Sequence, residues 1–153
     1  MLPSQRSNIR VHWNYSLVRH RAKEILRRKH WQGWISRDDC RQTKMFVTDQ
    51  SSNRSKFLLS LCKRDLTLIT GIMTGHCQLN SHLSTIRVAR SSTCVSCLEG
   101  EETAEHFMCS CPAFSGIRYR IFGVHLLDNS SLKELPLEKV LSFIKKTGRF
   151  SRE

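Results

Sequence analysis

A chain of 153 residues with 25 Lys/Arg against 13 Asp/Glu, a formal net charge of +12, and 39% hydrophobic residues fits one small globular domain with ragged ends. Its cysteines number seven, an odd count, and its first thirty residues lack a secretory apolar core, which excludes a disulfide scaffold and leads us to expect an intracellular protein of nucleus or cytoplasm. The most apolar run, residues 66–73, contains Thr67, Thr70 and Gly71 and is far shorter than the roughly 18 residues a bilayer span requires, so no membrane association is expected.

Residues 1–15 lack periodicity and read as a disordered leader. From residue 16 the pattern turns helical. Val18, Ala22, Ile25 and Leu26 recur at three- and four-residue intervals between basic residues, which predicts a basic amphipathic helical segment over 16–47. Trp31, Trp34 and Ile35 are expected to continue its apolar face. Residues 1–44 hold eleven Lys/Arg against three acids, whereas residues 94–153 hold eight of each, so positive charge is concentrated at the N-terminal end. The candidate nucleic-acid-binding residues are Arg19, Arg21, Arg27, Arg28, Lys29 and Arg37, with the indoles of Trp31 and Trp34 either stacking on bases or anchoring a core. The partner this chemistry suits is RNA or single-stranded DNA, with weak sequence preference.

The Ser/Asn-rich residues 48–55 read as a polar linker. An apolar helical core follows over 56–90, where Phe57, Leu58, Leu61, Leu66, Ile69, Ile72 and Met73 predict one buried helix ending at Gly71 to Gly75. The turn at Thr74, Gly75 and His76 feeds a short helix over residues 79–88, with His76 as a helix-terminal histidine or, less simply, a phosphate or metal contact.

Residues 91–123 carry the strongest chemical signal. Cys94, Cys97, His106 and Cys111 form a C-x2-C-x8-H-x4-C pattern, with Gly100 and polar neighbours where the chain must reverse between the ligand pairs. This predicts a CCHC zinc knuckle holding one Zn2+, with Thr103 capping a short helix that projects His106, and with Cys109 as the alternative fourth ligand. Four protein ligands leave no open coordination position, so the ion is expected to be structural. Pro112 opens a further helix through Phe114, Ile117, Ile121 and Phe122. A C-terminal helix and tail occupy 124–153, the helix running from about Pro136 to Thr147 and Gly148. Little alternates with period two, so the expected fold is mainly α, a small helical domain with an embedded zinc knuckle.

Catalytic constellations are incomplete. Polymerase chemistry needs paired carboxylates on a hairpin to hold two metal ions, and Asp38 and Asp39 lie between Arg37 and Cys40 at the end of a basic helix. The only other acids before residue 94 are Glu24, Asp49 and Asp65, too few for an RNase H centre. Glu102 and Glu105 at the knuckle rim suit a helix N-terminus better than a general base. No catalytic residue is nominated, and the chain reads as a non-enzyme.

The run Arg28-Lys29-His30-Trp31-Gln32-Gly33-Trp34, then Arg41-Gln42-Thr43-Lys44, then Leu68-Ile69-Thr70-Gly71-Ile72-Met73-Thr74-Gly75-His76, then the Cys94/Cys97 pair with Glu101-Glu102-Thr103-Ala104-Glu105-His106 and Cys109-Ser110-Cys111-Pro112, resembles the extreme C-terminal region of insect-type non-LTR retrotransposon polyproteins. The likeness covers about residues 20–150. In those polyproteins the segment lies downstream of the reverse transcriptase and RNase H domains. The resemblance implies a zinc-binding, nucleic-acid-associated tail whose partners include the rest of such a polyprotein. Two other expectations stand beside it: a zinc-stabilised helical protein-interaction module, and a non-functional fragment of retrotransposon origin.

Overall fold

A computed structural model describes residues 14–47 and 50–151. The leader expected over residues 1–15 lies outside them except for Asn14 and Tyr15. The described chain divides into two compact units, meeting between Arg37 and Asp38.

The first unit is α1, Tyr15–Ser36, which begins where the Asn14 side chain accepts the Leu17 amide at 3.2 Å. It carries six Lys/Arg against Glu24 and has no buried residue. Its apolar residues do not form one continuous face. At about 100° per residue, Val18, Ala22 and Ile25 share one side, while Trp31, Trp34 and Ile35 lie roughly 100–150° away on the other. The expected continuation of the stripe through the tryptophans is therefore corrected: unbroken helical geometry carries them round the axis, and both indoles are half-buried rather than core anchors. The helix also stops at Ser36, well before residue 47.

The second unit contains the core. A single helical turn, α2 (Arg41–Lys44), follows Cys40, whose φ of 64° marks a sharp reversal. The polar stretch expected as a linker over 48–55 becomes helical at Ser52, because Ser51 supplies an N-cap hydroxyl to the Arg54 amide and opens α3 (Ser52–Ser60). The single buried helix expected from Phe57 to an end at Gly71 to Gly75 is two helices. The Ser60 hydroxyl donates to the Phe57 carbonyl at 2.7 Å, Leu61 and Cys62 turn extended, and α4 runs Lys63–Thr74. The break leaves Leu58 and Leu61 packed at the edge of the core, while Ile69, Ile72 and Met73 of α4 are buried. Gly75 at φ 79° ends α4 as an αL cap. α5 is Asn80–Thr85, shorter than expected, and α6 is Ser115–Phe122, ended by Gly123 at φ 82°.

α7 (Leu137–Lys146) supplies Val140, Phe143 and Ile144 to the same core and packs against both α4 and α6. Phe107 sits at its centre, edge-on to Phe114, Phe143 and Phe150 at 5.2, 5.4 and 5.5 Å between rings. Lys145 meets Asp65 at 2.6 Å across the α4–α7 contact, holding that carboxyl below its usual range through the hydrogen bond. Among the described residues only one isolated bridge, Thr93 to Glu101, has β geometry, so the fold is mainly α with an embedded Cys/His cluster.

Candidate metal centre

The bridge between Thr93 and Glu101 closes the first ligand turn. The Cys94 amide donates to the Gly100 carbonyl at 3.0 Å and the Leu98 amide to the Cys94 carbonyl at 2.9 Å, so both cysteines project from one tight loop. Gly100, at φ 63°, supplies the left-handed residue this reversal needs. The Glu99 amide donates to Cys97 Sγ at 3.4 Å.

Thr103 acts as the predicted cap, its hydroxyl accepting the His106 amide at 3.0 Å. The following segment, His106–Ser110, is a single π turn closed by the Cys111 amide on the His106 carbonyl at 2.7 Å. This widening explains the H-x4-C spacing. In an α-helix residues five apart diverge by about 140°, whereas at roughly 4.4 residues per turn they lie within about 50°. His106 and Cys111 therefore face the ligand side together, while Phe107, Met108 and Cys109 point into the core.

The four ligand atoms of Cys94, Cys97, His106 and Cys111 lie within 4.8 Å of one another. Cys94 Sγ is 3.8 Å from Cys111 Sγ, and Cys97 Sγ is 3.3 Å from His106 Nε2. A tetrahedral ion with bonds of about 2.3 Å to sulfur and 2.0–2.1 Å to nitrogen needs edges of about 3.8 Å and 3.6 Å, so the donor set fits such an ion. Ser110 Oγ lies 3.4 Å from His106 Nδ1 and orients the ring so that Nε2 faces the cluster. Burial pushes the Cys111 thiol up, so that holding it as a thiolate falls to a bound cation. Cys109, the alternative fourth ligand, lies outside this cluster. Its Sγ lies 3.6 Å from Asn129 Oδ1, on the other side of the π turn, and burial pushes it up to about 12.

Two buried charges flank the cluster, and neither is marked by sequence spacing. Glu102, fully buried, receives both Arg149 Nε and Nη2 at 2.8 Å and the Asn80 amide at 2.7 Å, with its Oε1 3.9 Å from Cys94 Sγ. Arg118, also fully buried, donates from Nε to the His125 carbonyl at 2.7 Å and from Nη2 to the Cys111 carbonyl, while Nη1 has no partner among the described residues. Were a divalent ion held there by three thiolates and one imidazole, the site would carry one net negative charge, which the Arg118 guanidinium beside Cys111 would offset.

Of the candidate nucleic-acid residues, Arg19, Arg21, Arg27, Arg28, Lys29, Trp31 and Trp34 all lie on α1, and Arg37 follows at its C-cap. Among the described residues His76 belongs to no cluster of metal-ligating side chains, and its ring packs edge-on against His82 at 5.1 Å. No described helix is long and apolar enough to cross a membrane. No protein-family model, curated protein or solved structure matches this chain.

Proposed function

We propose that this chain is a nucleic-acid-binding accessory module, stabilised by one zinc ion and not catalytic by itself, of the kind that ends non-LTR retrotransposon polyproteins. RNA or single-stranded DNA is its partner, and the rest of such a polyprotein is a second one. The observation that carries the reading is α1, a 22-residue helix with six basic residues, one acid and no buried side chain. Such a helix presents charge along its length to a phosphate backbone. Zinc is the ion favoured by three soft thiolates and an imidazole in tetrahedral disposition, and four protein ligands leave it no open position for hydrolysis.

The test is binding of a labelled single strand over a salt series. If about five phosphates are contacted, log K falls against log[salt] with a slope near −3.5. Replacing Arg27, Arg28 and Lys29 together by alanine weakens all sequences alike and flattens the slope by up to about 2. A second reading, a protein-interaction module, draws on the exposed Val18 and Ile25 beside Ala22 on one side of α1. Binding that is insensitive to salt, or unchanged in the triple variant, decides for that reading.

A further inference from the structure

A cleft of about 840 Å³ opens between α4, α5 and the segment after α7, on a side of the core that the metal centre does not use. Its floor is apolar: Leu68 of α4, Leu83 of α5, Ile86 at the α5 C-cap and Phe150. Ile86, one of the lining residues, is 52% exposed. Its polar lining is selective. His76, His82 and Gln78 offer two imidazoles and a carboxamide, Lys63 and Arg64 stand at the start of α4, and no acid lines it among the described residues.

We propose that this cleft captures a base of a single-stranded nucleic acid, with the adjoining phosphate at Lys63 and Arg64. The inference rests on the nucleic-acid-binding reading and assigns base contact to a place other than α1. Three ring-bearing side chains, His76, His82 and Phe150, provide stacking surface for a flat aromatic ligand. The Gln78 carboxamide and the imidazole nitrogens can pair with a base edge, contacts that a purely apolar occupant could not make. The two cations match the charge of the phosphate that every nucleotide carries.

The experiment compares an oligothymidylate with an abasic strand of equal length and phosphate count, using the full zinc-loaded chain. A captured base makes the oligothymidylate roughly 5- to 100-fold tighter. His82→Ala combined with Ile86→Ala, two changes outside the buried core, brings that ratio close to one while the salt slope stays as it was. Wild-type protein that binds both strands equally overturns the cleft while leaving phosphate binding by α1 in place; failure to bind either strand overturns both. A ratio unmoved by the double variant also overturns the cleft. Should the variant unfold, thymidine 5′-monophosphate is titrated into wild-type protein and the methyl resonances of Leu68, Leu83 and Ile86 are followed. Their movement supports the cleft, and their constancy, or movement with a fatty acid alone, overturns it.

Discussion

Cys109 and Cys111 are two positions apart and have opposite roles, because the π turn sends one sulfur toward Asn129 and the other to within 3.8 Å of Cys94. Cys111→Ser is expected to abolish stoichiometric metal, and Cys109→Ser to retain it; elemental analysis of the two variants checks both. Metal affinity should fall as pH falls, since protons compete with the metal for the ligand sulfurs and burial already disfavours the Cys111 thiolate. Cys109, pushed up to about 12, remains a thiol at neutral pH and adds nothing to that dependence. The Cys/His cluster was legible in sequence because spacing encodes it. The choice between Cys109 and Cys111 was not, because it depends on a π turn that no local residue pattern announces.

At the level of elements, helices with a distinct stop were legible and those with an internal break were not. The end of α7 at Thr147 and Gly148 and the αL ends of α4 and α6 follow from glycines placed after apolar periodicity. The break between α3 and α4 does not, since residues 57–73 keep helical spacing across it and the interruption comes from the hydroxyl of Ser60 and the extended Leu61 and Cys62. Within α4, Gly71 has a specific reason to be glycine. A Cβ there would come within 3.2 Å of the His76 carbonyl and Cys77 Cβ, where the chain folds back after Gly75. Gly71→Ala is expected to destabilise the fold by about 1–3 kcal/mol, measured by denaturant unfolding. Gly33 in α1 is the contrasting case, with nothing within 4 Å of its built Cβ. Gly33→Ala should stabilise α1 by about 0.5–1 kcal/mol, visible as increased helical circular dichroism. Loss of helicity in that variant would mean that Gly33 is required for a bend or a close contact.

Over the whole molecule, charge is segregated and the second unit is tied together by one buried carboxylate. Glu102 lies beside Cys94, receives the first amide of α5 from Asn80, and holds Arg149, whose neighbour Phe150 packs on Phe107. Metal centre, α5 and C-terminal tail thus share one anchor. Breaking a buried ion pair strands its remaining charge, so Arg149→Ala is expected to destabilise by about 3 kcal/mol even though Arg149 itself is partly exposed. If the cluster holds a metal, its removal would free the loop of residues 94–101 that precedes Glu102. Chelation is therefore expected to accelerate amide exchange beyond the ligands, in α5 and in residues 147–151, while the centres of α4 and α7, joined by Ile69, Ile72, Val140 and Phe143, exchange last. Hydrogen exchange with and without chelator checks this by segment. Acceleration confined to residues 92–111 would show that Glu102 keeps its partners without the metal and that the centre stabilises only its own loop.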